Sequence, residues 1–386
     1  MVPGGQGLTT GVETKDGRLL LDSHKLAWHY GRVEAWQAGE RIAPVSIDMA
    51  LSRACQASCR ACYASVQESA NRSNITVDHC YAFLEDCARM GVKAVSLVSD
   101  GESTLSKAYV PFILRASELG IDVGNATNGW LFTPEMADQV LPHLKWVRFT
   151  VLAGRPESYV RMMHQDPLRL DVFWNAMRNI SAAVQIKRRR KLGVTLGIQT
   201  FLVQGNEPEI LPFAKLAVDL RVDYGMLKHT SDDERGSLGV QYAGYDAIIG
   251  SLRQAEAMGN ETTKIIVKWS KIRDRDQFSY QQVYGTQFLL QVSGSGLVAP
   301  TGMFFNNRYA KFHIGDFTEG RFYDIWRSGR YWEVMDYLAS PQFDARTRMG
   351  TLPIQHYANI ALDRHVKGIE RIQPGGGPAP LHMNFV

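Results

Sequence analysis

Cys55-Gln56-Ala57-Ser58-Cys59-Arg60-Ala61-Cys62-Tyr63 is the stretch on which the reading of this chain turns. It follows an apolar-alternating run, Pro44 to Ala50, that reads as a strand. Three thiols, spaced by three residues and then by two, fold around one centre as a metal site. No fourth cysteine stands nearby in the sequence. Structural zinc takes four closed ligands, usually as two separated pairs, whereas a cubane iron-sulfur cluster can take three protein thiolates and keep one iron open to another ligand. The spacing fits the second pattern, with Cys55, Cys59 and Cys62 as ligands; a zinc knuckle or three unrelated buried cysteines is the alternative. An open iron in a chain otherwise poor in cysteine is a site for chemistry.

At 386 residues the chain can bury a large core, as one big domain with an appendage or as two modest domains. Its apolar share of 45% and charged share of 21% are ordinary for a soluble globular protein. No apolar run approaches the roughly 20 residues needed to span a bilayer, and Met1-Val2-Pro3-Gly4-Gly5 lacks the charged and apolar regions of a signal peptide. A cytoplasmic location without membrane attachment is expected. Five cysteines, three of them in one motif, make no disulfide framework, and an oxygen-sensitive cluster requires a reducing compartment. The net charge of +4 is too small to imply a nucleic-acid partner. The basic run Lys187-Arg188-Arg189-Arg190-Lys191 reads as the solvated end of a helix, where cations favour the C-terminal dipole, with phosphate contact as the alternative.

Around the cysteine stretch the chain alternates between strands and helices. Strands are expected at 44–50, 93–98, 122–125, 146–152, 192–203 and 222–228, with helices at 76–90, 108–119, 134–141, 170–188 and 207–220. Six such units predict an α/β fold with a parallel sheet and crossover helices, an incomplete TIM-like (β/α)6 barrel. Ligands in such folds gather at the carboxyl ends of the strands, where the polar clusters of this sequence sit. The expected division is a packing segment at 1–43 with a helix over 23–38, the barrel at 44–230, a C-terminal α+β domain at 231–373 and a tail at 374–386.

The cysteine motif, followed by an aromatic just after a first strand, resembles the radical S-adenosylmethionine (radical SAM) superfamily. That resemblance implies one [4Fe–4S] cluster whose open iron is chelated by SAM, an electron donor such as flavodoxin or ferredoxin, and reductive cleavage of SAM to a 5'-deoxyadenosyl radical. It also implies cofactor contacts, strand end by strand end. Tyr63 is the aromatic after the last cysteine. Ser99-Asp100-Gly101-Glu102 resembles the family's Gly-Gly-Glu, so Gly101 and Glu102 are expected at SAM's amino group, with Asp100 in place of the first glycine. Thr127-Asn128-Gly129 resembles a Thr-Asn-Gly near the adenosine and cluster. Arg148 and Thr150 end the fourth strand where relatives hold the SAM carboxylate, and Gln199 and Asn206 match a strand and Asn used for ribose and methionine. Asn206 is also a sound helix N-cap. Tyr159 and His164 are similar to a Tyr and nearby His of relatives, against a packed aromatic and a surface His. The sixth strand ends in Leu227-Lys228-His229-Thr230-Ser231-Asp232-Asp233, and Lys228, His229 and Asp232 are the expected grip on a substrate, aided by Tyr242 and Tyr245. A solvated loop of Asx and Ser turns is the alternative there.

Gly294-Ser295-Gly296-Leu297-Val298-Ala299-Pro300-Thr301, with Ile314-Gly315-Asp316 and Ile325-Trp326, resembles the SPASM extension, whose cysteines hold auxiliary clusters. Here the cysteines are absent. Thr301 stands at the first ligand position, and Leu352 to Asn359 covers the later ones, while Cys80 and Cys87 are seven apart on one early helix. A degenerate extension that covers substrate is expected, with His313 and His356 as polar contacts. The tail after Pro374-Gly375-Gly376-Gly377-Pro378 ends in His382, Asn384 and Phe385, placed to fold over the barrel mouth or to stay disordered. Without an auxiliary cluster to accept an electron, hydrogen abstraction from a polar small molecule of sugar, cyclitol or nucleoside type leads to a redox-neutral or reductive outcome: rearrangement, elimination, decarboxylation or epimerisation. The other readings are modification of a nucleobase in DNA or of a peptide, and a non-catalytic iron-sulfur or zinc scaffold.

Overall fold

The structure, a computed structural model, describes residues 11–14, 17–21, 23–60, 62–69, 75–163, 166–240, 244–274, 278–350 and 353–386. Its strands in chain order are β1 (Gly11–Thr14), β2 (Gly17–Leu20), β3 (Ser46–Met49), β4 (Ala94–Leu97), β5 (Asp122–Thr127), β6 (Leu144–Thr150), β7 (Thr195–Leu202), β8 (Tyr224–His229), β9 (Lys264–Val267), β10 (Leu289–Val292), β11 (Leu297–Ala299) and β12 (Gly315–Asp316). The chain forms two compact units. One comprises Met1–Ser23, Gln56–Tyr63 and Ala126–Asp276, the other His24–Cys55, Ala64–Asn125 and Gln277–Val386.

In the second unit β3 pairs in parallel with β4, β4 with β5, and β10 with β3. The antiparallel strands β11 and β12 follow on β10. Every residue of β3 and β4 is buried, as parallel strands covered on both faces require. The crossover between them is the helix Val77–Met90. Thr76 opens it: the Thr76 hydroxyl accepts from His79 N at 3.2 Å, and Thr76 N donates back to His79 Nδ1 at 3.3 Å. Gly91, in the left-handed conformation, stops it. Cys80, Phe83, Leu84 and Cys87 form its buried stripe. Burial pushes the Cys80 thiol up to about 12 and raises Cys87 too, so both are inert core sulfurs. The expected helix over 23–38 divides into a 3-10 turn, Leu26–His29, and an α-helix, Tyr30–Gln37. Leu26 and Val33 bury it against Ile42, Val45, Phe288 and Leu362.

In the first unit β6, β7, β8 and β9 are consecutive parallel neighbours. The helix Asp171–Arg190 buries Val172, Phe173, Ala176, Met177, Ile180 and Ala183 on one face. Two cations of its basic end are paired: Lys187 Nζ with Asp223 at 2.6 Å and Arg190 with Asp138 at 3.0 Å. The fold is thus α/β with a mostly parallel sheet, and parallel pairing runs past the six expected strands to β9 beside β8 and β10 beside β3. Beyond β10 the chain is α+β, with helices Phe322–Arg327, Gly329–Ala339 and His356–Val366. No described helix is long and apolar enough to cross a membrane.

The tail docks away from the carboxyl ends of the strands. Lys25 Nζ donates to the carbonyls of His382 and Phe385 at 2.9 and 2.8 Å, and Asn384 Nδ2 donates to Asp122 Oδ2 at 2.8 Å. Asp122 is the first residue of β5, so the tail sits at that strand's amino end and does not cover the mouth. A nearly buried ammonium needs acceptors, and the two tail carbonyls supply them.

Candidate active site

The start of the cysteine loop is gripped by two glycines and an aspartate of its own unit. Gly101 has φ +120°, and a Cβ there would lie 2.0 Å from Ser52 O and 2.7 Å from Arg53 Cα. From elsewhere in the chain Gly294 approaches equally closely, with a Cβ position 2.4 Å from Ser52 C. Only glycine permits either approach. Asp100 ties the arrangement together: Ser293 Oγ donates to it at 2.6 Å, Gly294 N at 2.8 Å, and Arg53 Nε pairs with it at 3.0 Å. Burial raises its pKa above the ordinary carboxylate range, while those partners pull it down. Glu102 N donates to Ala54 O at 2.9 Å. Its carboxylate caps the next turn, accepting from Thr104 N at 3.2 Å and Thr104 Oγ1 at 2.7 Å. Cys55 is exposed at the end of this segment.

The rest of the loop belongs to the other unit, where it leans on the helix Pro156–Met162. Ser58 N donates to Met163 O at 3.1 Å and Arg60 N to Met162 O at 3.0 Å, while Cys62 N closes a turn onto Cys59 O at 3.0 Å. Cys59 Sγ lies 3.3 Å from Met163 Sδ. Cys59 and Cys62 are half-buried, and Tyr63 opens a short 3-10 turn after them. Gln56 Nε2 reaches Asn128 Oδ1 at 3.5 Å. Thr127 Oγ1 accepts from Gly129 N and Asn128 Oδ1 from Trp130 N, so the Thr-Asn-Gly segment is a side-chain-braced turn.

Arg148 and Thr150 share one face of β6, and Thr150 Oγ1 accepts from Gln199 Nε2 of β7 at 3.1 Å. Gln199 Oε1 and Arg148 Nε are buried without partners. Asn206 occupies the N-cap position of the turn Glu207–Glu209 but does not cap it. Its Nδ2 instead donates to Leu152 O at 2.9 Å and Phe201 O at 3.2 Å, and its Oδ1 is buried without a partner.

The polar run after β8 does not converge. Neighbours on a strand point to opposite faces, so Lys228 lies 4.8 Å from the Phe201 ring while His229 turns the other way, 6.0 Å from the ring of Tyr245. Asp232 accepts from the backbone of Asp233, Leu238 and Val240 and braces its own loop. Tyr245 donates to Leu202 O at 3.1 Å. Tyr159 is a packed aromatic that accepts from Trp130 Nε1 at 2.8 Å. His313 bonds Phe304 O at 2.8 Å, and His356 Nδ1 meets Tyr280 OH at 3.1 Å. Thr301 Oγ1 bonds Gln291 Oε1 at 3.2 Å, and Gln355 Nε2 donates to Leu289 O and Pro300 O, both at 3.0 Å. His164, Tyr242 and Leu352 lie outside the described residues. The sequence showed Asp100 and Gly294 without their part in holding the loop, and passed over Met163 and Asn125. Asn125 lies two positions before Thr127 on β5, and its Nδ2 and Oδ1 are buried without partners.

These residues fit an iron-sulfur cluster with SAM. Three cysteines outside any disulfide lie on one short loop, and Arg148 Nε in β6, Gln199 Oε1 in β7 and Asn206 Oδ1 just after β7 are buried with no partner among the described residues. Residues 49–201, from the end of β3 through the cysteine loop into β7, match the sequence profile of the Radical SAM superfamily. This stretch, less than half of the chain, is a radical SAM domain. With the superfamily come its cofactors, SAM and a [4Fe–4S] cluster. No curated protein matches the sequence. Among solved structures, this radical SAM protein is similar to Streptococcus suis SuiB bound to S-adenosylmethionine, at 13% identity over 79% of this chain and 71% of that one, TM-score 0.60. It is also similar to anSMEcpe with bound AdoMet, at 14% identity over 85% and 98%, TM-score 0.53. At such identities the likeness is one of fold.

Proposed function

We propose that this radical SAM enzyme works with a single cluster, held by Cys55, Cys59 and Cys62, and abstracts hydrogen from a polar small molecule to give a redox-neutral or reductive product. When bound, the reduced cluster supplies the electron that cleaves SAM. The observation that carries the reading is the fate of the other candidate ligands. Cys80 and Cys87 are buried core thiols, and Thr301, Gln355 and His356, in the segments where SPASM relatives place cysteines, are hydrogen-bonding pegs. With no second cluster to take an electron, the substrate radical is expected to rearrange, eliminate, decarboxylate, epimerise or be quenched. The protein's own part is positioning and exclusion of water. Gly101, Asp100 and Gly294 fix the start of the loop; in this reading Glu102, Asn128, Arg148, Thr150, Gln199 and Asn206 serve SAM, and Lys228 serves the substrate. The test is the mass of the product from a substrate that transfers deuterium to 5'-deoxyadenosine. Counting the transferred deuterium as hydrogen, a composition that is unchanged, has lost water or carbon dioxide, or has gained hydrogen supports the proposal; net loss of two hydrogens overturns it.

A peptide substrate is the second reading. Two of the similar structures are SuiB bound to precursor peptide SuiA, TM-score 0.58, and anSMEcpe with AdoMet and Kp18Cys peptide, TM-score 0.53. Deuterium transfer from a peptide and from no small molecule would select it.

A further inference from the structure

One face of β6, β7 and β8 carries two cations, Arg148 and Lys228. Register places Arg148 beside Gly197, Thr150 beside Gln199 beside Met226, and Phe201 beside Lys228. Paired residues of parallel strands share a face, so Arg148, Thr150, Gln199 and Lys228 all project from the same side. Gly197 leaves that side open, and the ring of Tyr224 fills the gap, since a Cβ on Gly197 would lie 2.3 Å from it. Arg148 and Lys228 make no ion pair or hydrogen bond among the described residues. Each rests only on an aromatic ring, Arg148 at 5.3 Å from Trp146 and Lys228 at 4.8 Å from Phe201. Burial lowers the Lys228 pKa well below its ordinary value, and the neighbouring cations Arg148, Lys271 and Lys268 lower it further. An unpaired cation held inside a protein is costly unless something anionic arrives to match it.

We propose that Lys228 forms an anion subsite that receives a carboxylate or phosphate carried by the substrate, with the charge of Arg148, on the same face but across β7 and four residues lower in register, adding to its field. The inference rests on the proposed function only in naming the anion's owner as the substrate. SAM carries a carboxylate as well, and the two sources are separable. The experiment is calorimetric titration of inorganic phosphate into the cluster-loaded protein, with and without saturating SAM, for the wild type and for Lys228→Gln and Lys228→Arg. The expected result is saturable binding that persists with SAM present, weakens at least tenfold in Lys228→Gln and is largely restored in Lys228→Arg. Absence of phosphate binding, or equal binding by Lys228→Gln, overturns the subsite, and loss of phosphate binding when SAM is added assigns the cations to SAM and overturns the substrate claim. A second measurement covers a failure of the first variant to fold. Lys228→Met is expected to melt higher than wild type in phosphate-free buffer and to gain nothing from phosphate, whereas a lower melting temperature would mean that Lys228 has a structural partner. None of these readouts requires SAM cleavage. Phosphate binding through Lys228 in a protein that forms no 5'-deoxyadenosine would sink the proposed function and leave the subsite standing.

Discussion

Replacing Gly101 with alanine inserts one methyl group where the cysteine loop begins. The new Cβ would stand 2.0 Å from Ser52 O and within 2.8 Å of two Arg53 backbone atoms, against the ~3.5 Å of an ordinary contact. These are backbone atoms, so no side chain can rotate out of the way. The residue also has φ +120°, a conformation open to glycine and strained by about 1 to 3 kcal/mol for other residues. Overpacking adds about 1 to 3 kcal/mol if the surroundings hold. The outcome is either a loss of roughly 2 to 6 kcal/mol of stability or a loop displaced by about an ångström. Displacement is the cheaper route, because Cys55 lies exposed just beyond the contact. Urea unfolding of the iron-free protein reads the first outcome, and iron retained after anaerobic reconstitution reads the second. A Gly101→Ala protein with both stability and iron content of the wild type would refute the claim that Gly101 holds the loop.

Asp100→Ala strands Arg53, Ser293 Oγ and Gly294 N, and is expected to destabilise the iron-free protein by about 3 to 5 kcal/mol in urea unfolding. Asp100 has a raised pKa in the folded protein, so it favours folding most below its unfolded pKa and loses that contribution as pH rises through the folded value. The stability of Asp100→Asn relative to wild type is therefore expected to increase from about pH 4 upward, and a flat difference would contradict the buried assignment. Cys80→Ala and Cys87→Ala are expected to cost stability of order 1 to 2 kcal/mol each while leaving iron content at the wild-type level; lost iron in either would place those thiols in a cluster. Removing residues 381–386 strands the Lys25 ammonium and is expected to lower the melting temperature by several degrees.

The parts of the fold legible in the sequence were those encoded within a few consecutive residues. The cysteine spacing, the strand-helix alternation and the helix start at Thr76 are local signals, and the observed elements fall within about three residues of expectation, the usual slack of boundaries. What stayed hidden depends on distant partners. Asp100 looked like a substitution within a Gly-Gly-Glu-like turn, yet its main hydrogen bonds go to residues more than 190 positions away. β9 and β10 lie outside the six expected strands, and β10 finds its partner β3, about 240 residues earlier, only in three dimensions. The separation of Lys228 from His229 was available, because a strand turns consecutive side chains to opposite faces. Reading the run after β8 as a single polar cluster overlooked that period.

The most direct measurement is 5'-deoxyadenosine released by the reconstituted protein given reductant and SAM, for the wild type and for Cys59→Ala, with iron counted in both. About four irons per chain and steady release are expected from the wild type, with neither from a Cys59→Ala protein of unaltered circular dichroism. Release by the variant, or close to eight irons in the wild type, would contradict a single cluster on Cys55, Cys59 and Cys62.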